Sequence, residues 1–177
     1  GSVVNAGSLV LNNTGYWEFT SPVSGNGNLV KEGSGTVHIG SSLVSAGITT
    51  VQSGSLLIGT TPASASSAQR LAISSADQSP TTLTSNVIVQ PGGTFGGDGQ
   101  VTGNVTNAGN LVIGQAATGN GFSDFVINGN YTGNGGNITL NTVLADDNSP
   151  TDRLVITGDT SGSSNVTVNN IGGIGAK

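Results

Sequence analysis

Short runs of alternating aliphatic residues recur along the chain, and a glycine introduces each run. Residues two apart on a strand point to the same face, and glycine suits the turn that precedes it. Each run therefore predicts a turn followed by a short strand with one apolar face. The copies are Gly7-Ser8-Leu9-Val10-Leu11, Gly35-Thr36-Val37-His38-Ile39-Gly40, Gly54-Ser55-Leu56-Leu57-Ile58-Gly59, a truncated Gly93-Thr94-Phe95-Gly96, Gly109-Asn110-Leu111-Val112-Ile113-Gly114 and a looser Gly136-Asn137-Ile138-Thr139-Leu140.

The spacing of these runs predicts a solenoid. Their first glycines scatter around the period expected of stacked coils, and we interpret the longest gap, from Gly54 to Gly93, as near two periods. A short strand cannot bury its apolar face alone, whereas stacked coils enclose a continuous interior. We therefore predict an all-β chain, residues 1–177, folded as one right-handed parallel β-helix of about six or seven coils. A β-sandwich needs longer strands and more aromatic residues than the 4% present.

Two segments interrupt the pattern. Residues 60–85 are rich in Ser, Ala and Thr and contain Pro62 and Pro80, which predicts an excursion from the rod. Residues 145–152 form an acidic turn, and the two aliphatic runs that follow are closer together than one coil. We expect these runs to form a hairpin or a tightened last coil, so that residues 122–177 make a modified, capped C-terminal end.

Composition excludes several classes of protein. The chain has no Cys, which rules out disulfides and thiolate metal sites. Four basic residues and a net charge of -5 disfavour binding to nucleic acid. Its 30 glycines, with abundant Ser, Thr and Asn, disfavour helices. No apolar stretch approaches the length that spans a bilayer, and no signal peptide is visible.

Catalytic and metal-binding patterns are absent from the sequence. His38 is the single histidine and alternates with two aliphatic residues, so we expect it on the outside of the rod rather than in a catalytic triad. The acidic residues are dispersed, apart from Asp146 and Asp147. With Asn148 and Asp152 these could suggest a Ca²⁺ site, but the spacing misses the loop pattern, and a solvated turn is the expectation. We predict no enzyme activity and no cofactor or metal.

A few residues are candidates for a role in folding. The cluster from Tyr16 to Phe19 is predicted to pack in the core or cap an end, and a binding hot spot is the alternative. Gly96, Gly97 and Gly99 are expected at tight corners. Asp152 and Arg153 are expected to form an ion pair. The candidates are Trp17, Phe19, Gly96, Gly97, Tyr131, Arg153 and Leu154.

Three stretches together resemble a known family. The motif Leu29-Val30-Lys31-Glu32-Gly33-Ser34-Gly35-Thr36-Val37, continued through Gly54-Ser55-Leu56, resembles the repeat of bacterial autotransporter passenger domains. Residues 92–99 and 103–109 are similar to the coil that follows it. Residues 125–131, 152–158 and 172–176 resemble the pertactin-like C-terminal segment of these passengers. The likeness covers nearly the whole chain, although residues 1–19 fit the repeat only through Gly7-Ser8-Leu9-Val10-Leu11.

The resemblance implies a function in secretion. It implies a surface location reached through the periplasm and the outer membrane, with the passenger's upstream coils and a downstream β-barrel as partners. The segment nearest the barrel, called the autochaperone, would emerge and fold first and template the rest. The alternative is an adhesive surface that contacts a host or bacterial surface protein. A raw coil end at the N-terminal side also predicts weak end-to-end self-association.

Overall fold

The computed structural model describes residues 1–60, 80–119 and 121–175, whose regular secondary structure is almost entirely β-strand. The one helix in these residues, α1 (Gln115–Thr118), is a single turn, and no described helix has the length and apolar character needed to span a bilayer. The strands are β1 (Val3–Val4), β2 (Ser8–Asn12), β3 (Tyr16–Phe19), β4 (Val23–Ser24), β5 (Asn28–Glu32), β6 (Thr36–Ile39), β7 (Leu43–Val51), β8 (Gly54–Ile58), β9 (Thr82–Val89), β10 (Gly93–Gly97), β11 (Gln100–Thr102), β12 (Val105–Asn107), β13 (Asn110–Ile113), β14 (Asp124–Asn128), β15 (Tyr131–Thr142), β16 (Arg153–Ile156) and β17 (Thr160–Asn170).

These strands form three faces of a parallel β-helix. Face A runs β2, β5, β7, β9, β12, β15 and β17. Face B runs β3, β6, β8, β10, β13 and the later parts of β15 and β17. Face C consists of the pair β1–β4 and of the early parts of β7 and β9 with β11, β14 and β16. The long strands β7, β9, β15 and β17 each turn a corner and so belong to two faces. The parallel stacking on three faces confirms the predicted solenoid.

One inner row on face A shows how the coils succeed one another. Its members pair in register from coil to coil and mark seven coils within the described chain, in agreement with the predicted six or seven. The first two coils are equal in length, the third is about twice as long, and the last two are moderately longer than the first. The row consists of Leu9, Leu29, Thr49, Val87, Val105, Tyr131 and Thr160.

Five of the six sequence runs stack directly on face B, as the repeat predicted. Gly54 pairs with Gly93, so the longest gap between runs is a single coil, and our interpretation of it as two periods is wrong. The first run lies on face A instead, where Ser8 pairs with Asn28.

The interior of the rod is filled by one or two apolar side chains per strand. Alternation places Leu, Ile and Val inward on every face, and the middle coils bury them completely. Phe95 and Phe125 meet edge to face with ring centroids 5.7 Å apart, joining faces B and C across the interior. Burying one such side chain contributes about 1.5–3 kcal/mol, so the middle coils carry most of the hydrophobic stabilisation.

The predicted interruptions have mixed outcomes. Strand β9 begins at Thr82, so residues 82–85 of the expected excursion belong to the β-helix, while residues 61–79 lie outside the described residues. The last two aliphatic runs lie in β16 and β17, on different faces of one parallel coil, so they do not form a hairpin. An isolated antiparallel bridge joins Thr142 and Thr151 across the acidic turn.

Candidate functional site

The N-terminal end of the rod, which we call the head, is an uncovered coil. It consists of the free edges of β1, β2 and β3, which pair on one side only within the described residues. Trp17 belongs to the inner row of face B yet remains 42% exposed, and its ring packs edge to face on Phe19 at 5.4 Å. Burial and, to a smaller extent, the Glu18 carboxylate raise the pKa of the neighbouring Tyr16 to about 12. The head therefore presents aromatic surface and unpaired backbone groups.

The C-terminal end, which we call the tail, is equally open within the described chain. It consists of the free edges of β16 and β17 with the inner side chains Ile156, Val166 and Val168. Val166 and Val168 are 60% and 57% exposed, and no described residue covers them as a cap would. Beyond β17 the chain continues along the preceding coil, where the Gly175 amide donates to the Leu144 carbonyl at 2.7 Å.

Tyr131 joins the last three coils through its phenol group. The Asn107 side chain donates to its oxygen at 3.1 Å, and the Ser164 hydroxyl lies 2.7 Å away on the other side. Asn107 also donates to the Asn137 carbonyl at 3.0 Å and accepts from the Gly109 amide at 3.1 Å. Because Asn107 is fully buried, its bonds satisfy polar atoms that water does not reach.

Asp152 ties the segment around α1 to the last coils. Its carboxylate is buried and accepts hydrogen bonds from the amides of Asn141 at 2.9 Å, Ala116 at 3.1 Å and Ser123 at 3.4 Å. Gly114 approaches it so closely that a Cβ atom there would overlap the carboxylate. Hydrogen bonds to a charged acceptor are stronger than neutral ones, so Asp152 anchors three separate segments.

Arg153 forms its ion pair with Asp124, and the expected pair with Asp152 is wrong. The guanidinium binds both carboxylate oxygens of Asp124, at 2.8 and 2.6 Å, from the adjacent strand of face C. Hydrogen bonding to Arg153 lowers the pKa of Asp124. Asp152 faces inward and Arg153 outward at consecutive positions, which explains the difference. The next residue, Leu154, packs against the core opposite Phe125.

An asparagine ladder runs along the corner between faces C and A. In each step the side-chain oxygen of one asparagine accepts a hydrogen bond from a backbone amide of the next coil, at 2.9 Å. The pairs are Asn86 with the Asn104 amide, Asn104 with the Asn130 amide, and Asn130 with the Asp159 amide. Asn28 accepts the Ile48 amide in the same way. Each side chain thus bonds the coil that follows it in the sequence, and the ladder has a direction.

Lys31 is an inner residue of face A. It is fully buried, and its ammonium donates to the carbonyls of Glu32 at 2.5 Å, Gly33 at 3.0 Å and Ser53 at 3.3 Å. Burial lowers its pKa. The ammonium thereby satisfies carbonyl groups at the corner between faces A and B in two successive coils.

Gly96 and Gly97 are the last two residues of strand β10, whereas Gly99 lies at the corner between β10 and β11, as the sequence analysis expected of all three. Gly96 and Gly97 both have positive φ, at 147° and 124°. A Cβ atom would overlap the Val112 carbonyl at the first position and the Ile58 carbonyl at the second. Glycine is therefore required by the close approach of neighbouring coils.

His38 points to the outer side of face B, as expected, but it is buried and not exposed. Its ring lies on the outer side of face B, where it pairs in register with Glu18 and Leu57, and is fully inaccessible. Neither ring nitrogen has a partner with hydrogen-bond geometry among the described residues. Burial lowers its pKa, although Glu18, Asp98 and the backbone of Gly59 and Thr60 oppose this.

No metal-binding cluster of three His, Cys, Asp or Glu occurs in the part of the chain that the structure describes. The acidic turn is stabilised by its own hydrogen bonds. The Asn148 amide donates to the Asp146 carboxylate at 3.0 Å, and the Ser149 amide donates to the Asp146 backbone carbonyl at 3.1 Å. Asp152 points away from this turn into the interior, so the four residues weighed as a Ca²⁺ site do not converge.

The predicted folding residues do not form one site. Trp17 and Phe19 belong to the head, Gly96 and Gly97 to the fourth coil, and the other three to the last two coils. Sequence reasoning missed the roles of Lys31, Asn107 and Asp152 as buried polar residues. For Lys31 the alternating pattern contained the signal, because Lys31 shares a face with Leu29. For Asp152 the sequence indicated a pair with Arg153, and no pattern indicated that its carboxylate would be buried.

Comparison with known proteins places the C-terminal coils in a family. Residues 99–177 match the model of the Autochaperone Domain Type 1. This match begins immediately before β11, the first strand of the fifth coil, and covers the last three coils. It starts one coil earlier than the boundary at residue 122 that the sequence suggested.

Similar proteins are longer than this chain. It is 42% identical over 176 residues to the Uncharacterized protein YuaQ of Escherichia coli, a match that covers 99% of this chain and 12% of that protein. It is 47% identical over 72 residues to the Adhesin BmaC autotransporter of Brucella suis, covering 41% and 2%, and 43% identical over 75 residues to the Probable autotransporter YfaL of Escherichia coli, covering 42% and 6%. The fold, these relatives and the matched model together show that residues 99–177 resemble the autochaperone region of autotransporter passengers.

Proposed function

We propose that residues 99–177 act as a folding module of a bacterial autotransporter passenger that is delivered across the outer membrane to the cell surface. The observation that carries the proposal is the coincidence of the autochaperone match with the last three coils. Those coils are joined by Tyr131, Asn107 and Asp152, whose bonds cross from coil to coil. We propose no catalytic step.

The mechanism follows from the one-dimensional contacts of a solenoid. Each coil contacts only its neighbours, so folding can nucleate once and then propagate. The N-terminal edge of a folded coil offers unpaired amide and carbonyl groups to the coil before it. If the C-terminal coils leave the membrane pore first and fold outside, each added coil opposes return through the pore. Folding thereby biases transport without ATP.

Two deletions in the full-length protein test this function. Removal of residues 99–177 should abolish folded passenger at the cell surface, measured by protease-resistant surface protein. The matched control removes residues 20–39, one complete coil, which leaves the pairing register intact. Normal surface levels of folded passenger without residues 99–177, or equal loss in both deletions, would overturn the proposal.

Adhesion is a second candidate, motivated by the name of the relative BmaC. The proposed partner is a host or bacterial surface protein, and the proposed contact is the segment predicted as an excursion. Removal of residues 61–79 halves the coil between Thr49 and Val87 and brings its length close to that of its neighbours. Loss of cell binding with intact surface delivery would support adhesion, and unchanged binding would exclude this segment. We also propose, separately from adhesion, weak end-to-end association of isolated chains, which light scattering at increasing concentration tests.

A further inference from the structure

We propose that the asparagine ladder sets the register in which one coil stacks on the next. The proposal rests on the proposed folding function, because a folded coil can template the coil before it only if the two pair at the correct position. The residues concerned are Asn86, Asn104 and Asn130, each of which directly precedes a member of the inner row of face A. All three residues are exposed, so burial of apolar surface does not hold them in place.

Each ladder position binds the next coil at two points. The side-chain oxygen of Asn86 accepts the Asn104 amide at 2.9 Å, and the amide of Val87 donates to the Asn104 carbonyl at 2.8 Å. Both backbone groups of this corner residue are thereby held by the preceding coil, one by a side chain and one by the backbone. The equivalent backbone bonds of the next two coils, both 2.9 Å long, join Val105 to Asn130 and Tyr131 to Asp159.

The alternation of apolar side chains does not fix this register by itself. A slip of one residue would turn apolar side chains outward, but a slip of two residues keeps every side chain on its own side. Between the fourth and fifth coils Val105 pairs with Val87, and Val89 offers the same side chain two residues further on. Strand β12 has only three residues, so few backbone bonds oppose such a slip. Another contact must therefore select the native register.

The side-chain oxygen of Asn86 makes this selection because its partner lies outside the strands. Asn104 is located between β11 and β12, so its amide takes no part in the strand pairing, and the corner residues of the next two coils lie in the same kind of gap. After a slip of two residues the oxygen would face Thr102 or Thr106, which belong to β11 and β12 and pair there. The Asn104 amide would then lose its acceptor.

The one interruption of the ladder between the second and seventh coils is compensated. Ile48 occupies the ladder position of the third coil and has no side-chain oxygen. At this junction the Thr49 hydroxyl donates to the Ser85 hydroxyl at 2.8 Å, and the latter lies 3.0 Å from the Gly47 carbonyl. Thr49 and Ser85 are both buried. A polar side-chain contact thus joins these coils where the asparagine is missing.

Two pairs of introduced cysteines report the register, since the chain contains no cysteine of its own. Ile88 and Thr106 lie opposite each other on the outer side of face A, so Ile88→Cys with Thr106→Cys should form a disulfide in the native register. Gln90→Cys with Thr106→Cys reports a slip of two residues. In the native register these two positions are about 8 Å apart, which is beyond the reach of a disulfide.

Each cysteine pair is combined with substitutions that separate the acceptor from the shape of the side chain. Asn86→Leu keeps the shape and removes the acceptor, Asn86→Asp keeps an acceptor, and Asn86→Ala is a second variant in case leucine impairs folding. Asn128→Leu is the matched control, because Asn128 is exposed and its side chain donates to Gln100 at 3.5 Å rather than binding a corner amide.

The purified chains are refolded from urea under reducing conditions and then oxidised with oxidised glutathione. Circular dichroism checks the fold, and mass spectrometry measures the ratio of native to slipped disulfide. We expect Asn86→Leu to lower this ratio about fivefold, the factor that one net hydrogen bond contributes. Asn86→Asp should restore the ratio, and Asn128→Leu should leave it unchanged.

The outcomes distinguish register selection from a general gain in stability. A lower melting temperature of Asn86→Leu with an unchanged disulfide ratio would overturn the proposal, because the bond would then stabilise the coil without selecting its position. An equal change in Asn128→Leu, or no recovery in Asn86→Asp, would also overturn it. Failure here leaves the deletion test of surface delivery unaffected, and failure of that test leaves the disulfide ratio unaffected.

Discussion

At the scale of single residues, the most informative positions are polar or charged side chains that are buried in the β-helix. Lys31, His38 and Asp152 are buried in or on the rod, and each carries a polar group into an apolar setting. Lys31 and Asp152 have their charges satisfied by backbone groups, whereas the His38 ring is desolvated without such partners among the described residues. We therefore expect these three residues to respond differently to substitution.

His38 should make stability depend on pH. Its pKa is lowered below the ordinary 6.5 in the folded chain, so the folded state binds fewer protons than the unfolded state. Its contribution is fully present above about pH 6.5, the ordinary pKa, and is lost as pH falls through the folded pKa. We expect urea stability to decrease from pH 7 to pH 5, and His38→Leu to flatten this slope. Since His38 is the single histidine, an equal slope in the variant would show that another group titrates.

Gly97 should tolerate no side chain. Gly97→Val would place a branched Cβ against the Ile58 carbonyl at a positive φ of 124°. Backbone strain and overpacking together should cost at least about 2 kcal/mol, seen as a lower melting temperature. Gly7→Val is the control, because a Cβ at Gly7 meets no atom within 4 Å. An unchanged melting temperature for Gly97→Val would contradict the structure.

Among the elements, the last coils differ from the others in how they are tied together. The first coils are short, and their polar bonds from coil to coil include those of the Lys31 ammonium and the Asn28 side chain. The last ones are longer, and theirs include those of the Tyr131 phenol, the buried Asn107 amide and the Asp152 carboxylate. The helix α1 and the acidic turn occupy the additional length. This difference coincides with the region of the autochaperone match.

Asp152→Ala should loosen this region more than loss of any exposed acid. Three amides would lose their acceptor, and a buried polar group left unpaired costs about 1–3 kcal/mol. We expect a loss of at least about 2 kcal/mol in urea unfolding. Asp147→Ala, in the exposed turn, is the matched control and should be nearly neutral. Equal losses in the two variants would contradict the role given to Asp152.

The architecture of the elements was predictable, and the polar ties were not. The glycine-led runs were enough to predict a parallel solenoid, because several short strands with one apolar face each can bury those faces in few other ways. The position of Gly96 and Gly97 within a strand depends on the distance between neighbouring coils, which no local pattern records. The partner of Arg153 depends on the register between β14 and β16, which belong to successive coils. The burial of His38 likewise depends on contacts outside its own strand.

At the largest scale, the middle coils of the described rod pair on both sides, whereas its first and last coils pair on one side only within the described residues. Hydrophobic burial is complete in the central coils and incomplete at the head and the tail. Stability should therefore vary along the axis, since each coil depends on its neighbours.

The order of folding should follow from the proposed function. In pulse-labelling hydrogen exchange during refolding, we expect amides of β11 to β15 to become protected before those of β2 and β5. The reason is that the sixth coil contains the buried rings of Phe125 and Tyr131 and is bonded to the fifth coil through Asn107. Simultaneous protection, or earlier protection of the N-terminal coils, would contradict nucleation at the C-terminal side.

The variable coil length has a consequence for how such a rod changes over generations. The coil from Thr49 to Val87 is far longer than the next one, from Val87 to Val105, yet both keep the same register on face A. The reason is that short strands set the pairing while corners absorb the difference. New peptide can therefore be spliced into a corner without disturbing the coils on either side. A scaffold of this kind lends itself to grafting foreign epitopes, with the site after β8 as the natural point of insertion.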